Sequence, residues 1–226
     1  MSETPPSMLY KFMVKFNNIY RDMKRERKQN IELRGRGNTV GSLTQKQKSI
    51  IIGSLLGDGY LRIVPGRKNA FLEINHSVSE KNYVDWQYQR LKDIVKSPPK
   101  QRKGGGRRIA FRFFTQQHPE LTKLYLKFYK DGKKTIPNLK LDPLMIAVWF
   151  MDDGSKCGKD YYLNCQRFDL ISQKRLMEML NRQYGISTSL NRDKKYYRIR
   201  VRRRSQERFK KLIESYIIPS MRYKVW

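Results

Sequence analysis

The hydrophobic positions of the chain describe one succession of elements, and the chain passes through that succession twice. The first pass starts at Ser42 or Thr44, each with a glutamine three positions on, which is a helix-start signal. An apolar helix then leads to Asp58-Gly59. After it the pattern predicts strands over 60–64 and 71–76, a helix capped by Ser79, a strand over 107–115 and a closing helix over 119–132.

The second pass has a sharper start, with Asp142 as the helix cap and Pro143 at the first helical position. Its helix is again apolar and again ends in Asp-Gly, at positions 153–154. The remaining predicted elements are a strand over 161–168, a helix capped by Asp169, a strand over 196–204 and a closing helix capped by Ser205.

The shared order, α-β-β-α-β-(β)-α, predicts an internal repeat of two halves, residues 42–140 and 141–226. Two copies suit a pseudo-twofold molecule, because a solenoid needs more of them. Residues 1–41 precede the repeat as a basic N-terminal extension and linker. Within it, the apolar spacing over 9–28 fits either a helix that lies on a partner or a frayed basic arm.

The two Asp-Gly helix ends are the unusual feature of the pattern. A single Asp-Gly is an ordinary turn dipeptide, and Gly59 and Gly154 are good helix stops in the left-handed conformation. A carboxylate there, however, faces the negative end of the helix dipole. If the helices pack side by side about a pseudo-twofold axis, Asp58 and Asp153 converge and need a cation between them. Hard oxygen ligands favour Mg²⁺, which could activate water and stabilise an oxyanion leaving phosphorus.

Composition then indicates the partner. The chain has 49 Lys and Arg against 20 Asp and Glu, a formal net charge of +29, yet 38% of its residues are hydrophobic. It can therefore fold, unlike a disordered polycation, but with strong self-repulsion. A polyanionic partner is the simplest reason, and nucleic acid is the usual one. The alternative is a ribosomal or merely basic protein.

Cysteine, histidine and hydropathy exclude other classes. Cys157 and Cys165 argue against a disulfide scaffold, and His76 and His118 make no zinc signature. No apolar run reaches the length of a membrane span, and the N-terminus lacks a signal-peptide pattern. We expect an intracellular location in the compartment that holds the host DNA, an organelle included, and not secretion.

Alternation along the strands places arginines on one face of each sheet. In the strand over 196–204, Tyr197, Ile199 and Val201 point one way and the arginines the other. Arginine forks match guanine edges and phosphates, and a two-stranded ribbon fits the major groove. Because no acid lies between these arginines in sequence, groove reading is favoured over a solvated face. The candidate DNA-binding residues are Arg62, Arg67, Arg108, Arg112, Lys159, Arg198, Arg200 and Arg202.

The segments IIGSLLGDG (51–59) and IAVWFMDDG (146–154) resemble the two signature motifs of the LAGLIDADG homing endonucleases. Two motifs in one chain resemble the single-chain branch. KKTIP (133–137) and IIPSMRYK (217–224) resemble segments of members encoded by group I introns. The resemblance spans roughly residues 42–226. It implies an α+β fold in which two pseudo-twofold-related αββαββα halves form a saddle-shaped pair of antiparallel sheets on double-stranded DNA.

The resemblance also implies metal-dependent cleavage of both strands across the minor groove, leaving short 3′ overhangs. Asp58 and Asp153 would be the essential metal-binding acids. The carbonyl groups of the preceding residues, Gly57 and Asp152, would be further metal ligands. Mg²⁺ is the expected cofactor, Mn²⁺ is expected to substitute for it, and Ca²⁺ is expected to bind without supporting cleavage.

Lys134 and Lys224 match the basic residues that the family places beside its active site. Each would stabilise phosphate charge or help activate water, or would only position a phosphate. The second motif departs from the first because Val148 stands where the first has Gly53. The asymmetry suits a non-palindromic target. Asp152 adds a third acid, whose side chain could face away, and no catalytic role is assigned to it.

The predicted function is a site-specific DNA endonuclease, a phosphodiester hydrolase, that acts as a monomer on a long asymmetric target and promotes intron homing. The alternative is an RNA-binding intron maturase on the same fold, which needs the basic sheets but not the acids. A transcriptional regulator that lost the chemistry should lack one or both acids, and this chain has both. Residues 1–41 would be an extra DNA clamp or a vestige of the host reading frame.

Overall fold

A computed structural model describes residues 41–103 and 108–226. The helix or arm predicted within the N-terminal extension lies outside the described residues. Residues 42–226 form one compact unit. No helix of the described part is long and apolar enough to span a membrane.

The first half of this unit contains seven helices and strands in the order αββαββα, with one strand more than the sequence pattern resolved. They are α1 (Gln45–Leu56), β1 (Tyr60–Arg62), β2 (Phe71–Ser77), α2 (Lys81–Leu91), β3 (Lys100–Lys103), β4 (Ile109–Phe114) and α3 (Pro119–Phe128). A short hairpin follows, β5 (Tyr129–Lys130) and β6 (Lys133–Lys134).

The second half repeats the order. Its elements are α4 (Pro143–Asp153), β7 (Gly154–Cys157), β8 (Asp160–Leu163), α5 (Leu170–Tyr184), β9 (Thr188–Asp193), β10 (Tyr196–Val201) and α6 (Gln206–Ile213). A 3₁₀ helix, Pro219–Lys224, ends the described chain. The predicted α+β fold with two αββαββα halves is confirmed.

Each half forms one four-stranded antiparallel sheet, and the strand orders correspond: β1-β2-β4-β3 in the first and β7-β8-β10-β9 in the second. One face of each sheet packs on the helices. In the first sheet this face carries Leu72, Ile74 and Phe113, and in the second it carries Ile199 and Val201, all of them buried. The other face of each sheet, which we call the open face, carries the alternate residues.

Most of the predicted helix caps are confirmed. The Thr44 hydroxyl accepts a hydrogen bond from the Gln47 amide at 3.2 Å, while the Gln47 side chain accepts one from the Thr44 amide at 2.9 Å. Asp142 accepts from the Met145 amide at 2.8 Å and also from the Ser49 hydroxyl on α1, so one carboxylate joins the starts of both apolar helices. Asp169 caps α5 through the Ser172 amide at 2.7 Å.

Two cap predictions are wrong. Ser79 does not cap α2, because a 3₁₀ turn, Val78–Glu80, precedes that helix and Ser77 caps the turn. Ser205 is at the cap position of α6, but its hydroxyl accepts from the Ser187 amide at 2.9 Å instead. At Ser205 a tertiary contact determines where the hydroxyl points.

The predicted left-handed conformation of Gly59 and Gly154 is also wrong. Gly154 has φ −79° and ψ 150°, and Gly59 does not have a positive φ. Both positions need glycine for space, since an added Cβ would lie 2.8 Å from the Ser54 carbonyl oxygen or 2.3 Å from that of Phe150. Thus the two Asp-Gly pairs are not turns of the ordinary left-handed kind.

The two apolar helices, α1 and α4, pack closely side by side. A Cβ atom added to Gly53 would lie 2.6 Å from Val148 Cβ and 2.7 Å from the Met145 carbonyl oxygen. One added to Gly57 would lie 2.4 Å from Asp152 Cβ. Small residues of α1 therefore face larger ones of α4, so the helix pair is asymmetric although the fold repeats.

We expect Gly53→Ala to lower the free energy of unfolding by about 1–2 kcal/mol, because the new methyl group overlaps α4 and part of the obstacle is backbone. The better helix propensity of alanine works against this loss by less than about 1 kcal/mol. Urea unfolding measures the change. Gly41→Ala is the control, since a Cβ there meets nothing within 4 Å. A stability of Gly53→Ala equal to or above that of the unchanged protein would contradict the close packing.

Candidate active site

Two carboxylates lie at the adjacent C-terminal ends of α1 and α4. Gly57 caps α1 and Asp58 follows it, whereas Asp153 is the last residue of α4. Burial raises the pKa of Asp153 to about 7, and the negative charges of Asp58 and Asp152 add to this effect. Among the described residues, Asp153 Oδ2 is buried with no hydrogen-bond partner. The predicted convergence of the two acids is therefore present.

Each half also places one lysine at the end of its own apolar helix. Lys134 Nζ donates to the Gly57 carbonyl at 2.9 Å and to the Gly59 carbonyl at 2.8 Å. Lys224 Nζ donates to the carbonyls of Met151 and Asp152. Both ammonium groups thus lie at the negative end of a helix dipole, next to the acids. The contact between a lysine and the end of the apolar helix therefore occurs in both halves of the repeat.

The surroundings of the two lysines lower their pKa values. Burial lowers the pKa of Lys134 to about 7, and the positive charge of Arg167 lowers it further against the opposing acids. Burial likewise lowers the pKa of Lys224, while Glu80 and the acids oppose the shift. Lys134 is therefore a group that can gain or lose a proton near neutral pH.

Arg167 is a site residue that the sequence analysis missed. Its Nη2 forms an ion pair with Asp58 Oδ1, and its Nη1 donates to the Gly57 carbonyl at 3.3 Å. It lies three residues before α5, in the chain between β8 and that helix. When the two halves are aligned on the starts of α2 and α5, Arg167 falls opposite Val78, three residues before the helix. This difference between the halves is the signal that the sequence offers for Arg167.

The side chain of Asp152 is buried and turns toward the first half. His76 Nε2 lies 3.5 Å from Asp152 Oδ1, and His76 Nδ1 lies 3.1 Å from Glu80 Oε2 and 4.0 Å from Asp58 Oδ2. Burial alone would lower the pKa of His76, but the Glu80 hydrogen bond and the charges of Asp152, Glu80 and Asp58 raise it. Burial raises the pKa of Asp152 to about 6, although His76 opposes the shift. His76 was thus overlooked as a site residue.

The donor set fits a hard divalent cation. In the described part of the chain, no three His, Cys, Asp or Glu side chains converge on one point suited to a metal ion. A cation between Asp58 and Asp153 would therefore draw on main-chain oxygens and water as well. The two predicted carbonyl ligands, those of Gly57 and Asp152, each accept a hydrogen bond from a lysine. A carbonyl oxygen has two lone pairs, so each could bind a metal with the lysine still in place, against the repulsion between the two cations.

The open faces of the sheets carry four of the predicted DNA-binding residues. Arg62 and Arg112 are on the first sheet, and Arg198 and Arg200 are on the second. No acid lies between the arginines along their own strands, but strand pairing places one beside them. Glu73 lies 3.3 Å from Arg62 Nη1 and 3.6 Å from Arg112 Nη1, on the strand that pairing places between them. The acid is invisible in the alternation of β4 because a different strand supplies it.

The arginines of the second sheet are also held by neighbouring side chains. Arg200 Nη2 lies 2.8 Å from Asp160 Oδ2. The Arg198 guanidinium lies 3.9 Å from the centre of the Tyr162 ring, and its Nε donates to Asn191 Oδ1 at 3.3 Å. These contacts hold both side chains in defined orientations before any ligand arrives.

The other four predicted contacts lie outside the strands. Arg67 is in the β1–β2 connection, Lys159 is in the β7–β8 turn, and Arg202 follows β10, where its Nε donates to the Thr188 carbonyl at 3.1 Å. Arg108 directly precedes β4 and lines, with Asp58, Arg62 and others, a cavity of about 600 Å³. This cavity connects the acid of the first half with its open sheet face.

The structure thus combines an αββαββα repeat and two arginine-bearing sheets with two acids and two lysines at adjacent helix ends. Residues 48–209 match the LAGLIDADG DNA endonuclease family, and the chain belongs to that family. The motif resemblance is thereby confirmed.

Individual relatives carry two kinds of name. The chain is similar to "Cytochrome b mRNA maturase bI2" of Debaryomyces hansenii, with 29% identity over 195 residues, 81% of this chain and 74% of that protein. It is similar to "Probable intron-encoded endonuclease 1" of Wickerhamomyces canadensis, with 30% identity over 199 residues, 81% and 85% of the two chains. Among solved structures, the homing endonuclease I-WcaI bound to its DNA recognition sequence matches with a TM-score of 0.76 and 28% identity, covering 86% and 96%.

We expect Asp152→Asn to stabilise the protein at pH 7.5 by about 1–3 kcal/mol. Because the folded-state pKa of Asp152 lies above its ordinary value, ionisation weakens the fold as pH rises from about 4 through about 6. Asparagine stays neutral, so the advantage of the variant should shrink toward pH 4. Urea unfolding at several pH values measures this, with exposed Asp93→Asn as control. A variant less stable than the unchanged protein at pH 7.5 would mean that attraction to His76 outweighs the burial of the charge.

Proposed function

We propose that this protein is a site-specific double-strand DNA endonuclease in which Asp58 and Asp153 hold the catalytic metal. The observation that supports this most is the pairing of two acids and two lysines at adjacent helix ends. Two phosphodiester bonds, one on each strand, could be served by two such sets of groups. A protein that only binds nucleic acid has no need of two mutually repelling carboxylates at adjacent helix ends.

We propose Mg²⁺ as the metal, with Mn²⁺ able to substitute and Ca²⁺ able to bind without supporting cleavage. When bound, the metal would supply an activated water and a positive charge on the leaving oxygen. The unpartnered Oδ2 of Asp153 and the carboxylate of Asp58 are the oxygens that would hold it. The neighbouring lysines act on the substrate. Lys134 and Lys224, when protonated, stabilise negative charge on the phosphoryl oxygens.

The sheets would bind the DNA itself. Arginines held by Glu73, Asp160 and Tyr162 present their guanidinium groups in fixed directions, which favours recognition of base edges over loose phosphate contact. The two sheets differ in sequence, so the target would be long and asymmetric. The protein would act as a monomer within the compartment that holds the host DNA, leave short 3′ overhangs and promote homing of its own intron. The similarity to I-WcaI supports this reading.

A second candidate function is that of an intron maturase. The observation that favours it is the 29% identity to a protein named as a cytochrome b mRNA maturase. That activity would use basic surfaces and would not need the acids. Splicing assays with the intron RNA and cleavage assays with the intronless host sequence separate the two. Splicing without any double-strand break, in Mg²⁺ or Mn²⁺, would favour the maturase.

We expect Asp58→Asn and Asp153→Asn each to reduce cleavage by about a thousandfold or more, because the metal loses an essential ligand, while DNA affinity changes by less than about threefold. The target is first identified by mapping the breaks that the purified protein makes in genomic DNA. Single-turnover cleavage and gel-shift titration in Ca²⁺ then measure the two quantities.

Asp93 is an exposed acid within the 3₁₀ turn that follows α2, and Asp93→Asn is the matched control, which should cut normally. A collapse of DNA affinity in the two active-site variants would show that the acids serve the fold instead of the reaction.

We expect Arg198→Ala to weaken DNA binding by about tenfold or more and to relax the choice of base at one target position. The guanidinium is held for base recognition by Tyr162 and Asn191. Lys159→Ala should instead weaken binding to all sequences alike, as loss of a phosphate contact does. Competition binding with single-base variants of the target measures both. A uniform loss for Arg198→Ala would assign this residue to the phosphate backbone.

A further inference from the structure

The cations around the two acids are not arranged symmetrically. In the described part of the chain each acid has a lysine at its own helix end, but Arg167 forms its ion pair with Asp58. Its charge acts on Asp153 only at longer range, where it opposes the rise in the pKa of that residue. Counted from the start of the following helix, Arg167 occupies the position that Val78 occupies in the first half. The corresponding position of the first half therefore carries an apolar side chain and no guanidinium.

Arg167 covers two oxygens that the proposed reaction would use. Its guanidinium contacts the Asp58 carboxylate and the Gly57 carbonyl, and these are the oxygens assigned to the metal in the first half. Arg167 and a metal ion are both cations and would compete for the negative charge of Asp58 and the Gly57 carbonyl, so we assign them to alternative states of the site. The side chain is 44% exposed, so it could turn toward solvent.

A guanidinium released at this place has one obvious target. Its planar fork of N–H donors matches phosphate, it is always charged, and it is less strongly hydrated than an ammonium group. The cavity beside Asp58 opens toward Tyr60, Arg62 and the rest of the open sheet face, where the DNA backbone would lie. The phosphate on the Asp58 side would then meet both Lys134 and Arg167, and the other phosphate would meet Lys224 alone.

We propose that Arg167 is a catalytic residue for one of the two DNA strands only. In the free protein it neutralises Asp58, and in the complex with DNA and metal it turns to the scissile phosphate beside Lys134. There the oxygen of water bonds to phosphorus and the bond to the leaving oxygen breaks. The water gives up a proton and the leaving oxygen takes one up. Arg167 keeps its own proton throughout and donates hydrogen bonds to a non-bridging oxygen of the phosphate. The inference rests on the proposed function.

The test follows the two strands separately. Target DNA with a different label on each strand is cut under single-turnover conditions by Arg167→Ala, Arg167→Lys and the unchanged protein. We expect Arg167→Ala to slow one strand by about a hundredfold or more, the range for loss of one oxyanion donor. The other strand should change by less than about threefold, so nicked DNA accumulates. Arg167→Lys should recover part of the lost rate, because it keeps the charge but not the fork.

Two readouts do not depend on cleavage. Calorimetric titration of the free protein with Ca²⁺ should show tighter binding to Arg167→Ala, by about tenfold, because the competing cation is gone. DNA affinity in EDTA should change by less than about threefold, since Arg167 would reach the phosphate only after the metal arrives. Arg182 is an exposed arginine of α5 that donates a hydrogen bond to Asn138. Arg182→Ala is the matched control and should leave strand cleavage, Ca²⁺ binding and DNA affinity unchanged.

Three results would overturn the proposal. Equal slowing of both strands would show that Arg167 acts on the whole complex. Unchanged or faster cutting of both strands, with tighter Ca²⁺ binding, would show that it is a counter-ion only. If the unchanged protein binds its DNA but cuts neither strand in Mg²⁺ or Mn²⁺, the proposed function fails, and this inference fails with it.

Discussion

The close packing of helices α1 and α4 is the constraint on which the rest of the structure depends. Gly53 and Gly57 leave no room between the helices for even one methyl group against Val148 or Asp152. Asp142 joins the N-terminal parts of the two helices, because its carboxylate caps α4 and also accepts a hydrogen bond from the Ser49 hydroxyl of α1. With their axes held this close, the helices must bring their C-terminal acids together, whatever repulsion results.

The protein offsets that repulsion with cations. The carboxylates lie at the negative ends of two helix dipoles, where acids are disfavoured. Lys134, Lys224 and Arg167 contact the helix-end carbonyls or Asp58 directly, and His76 lies beside Asp152. The offset is incomplete, because burial and the charges of Asp58 and Asp152 still raise the pKa of Asp153 to about 7. Stability is thus given up at the site where the chemistry is expected, as in other functional sites.

Symmetry and asymmetry have separate origins in this chain. The backbone order, the sheet topology and the acid–lysine pairs repeat, because both halves must bury a sheet against helices around one helix pair. The side chains inside that frame do not repeat: Gly57 matches Asp152, and Val78 matches Arg167. A repeated frame with unlike contents allows two strands of an asymmetric DNA to be treated differently.

Much of the fold could be predicted from local pattern. Apolar periodicity showed the repeat, and Thr44, Asp142 and Asp169 marked helix starts because a cap is a contact within one helical turn. The duplicated Asp-Gly ends indicated Asp58 and Asp153, since two acids in equivalent places of a repeat must meet if the halves pack about an axis. The same local pattern predicted two helix caps that the structure does not have. Ser79 and Ser205 look like caps in sequence, but Ser77 caps the 3₁₀ turn before α2, and the Ser205 hydroxyl accepts from the Ser187 amide.

The sequence by itself determined the architecture, the basic open faces and the two acids, because each follows from periodicity, charge or repetition along the chain. Only the tertiary structure decided how those acids are neutralised. Arg167 lies 109 residues from Asp58, and Glu73 reaches Arg112 across a pair of strands. Burial, which sets the pKa values of Asp152, Asp153 and Lys134, is a property of the packed molecule. Electrostatic energy depends on the distance between charges and on their access to water, and neither can be read from the order of residues in the chain.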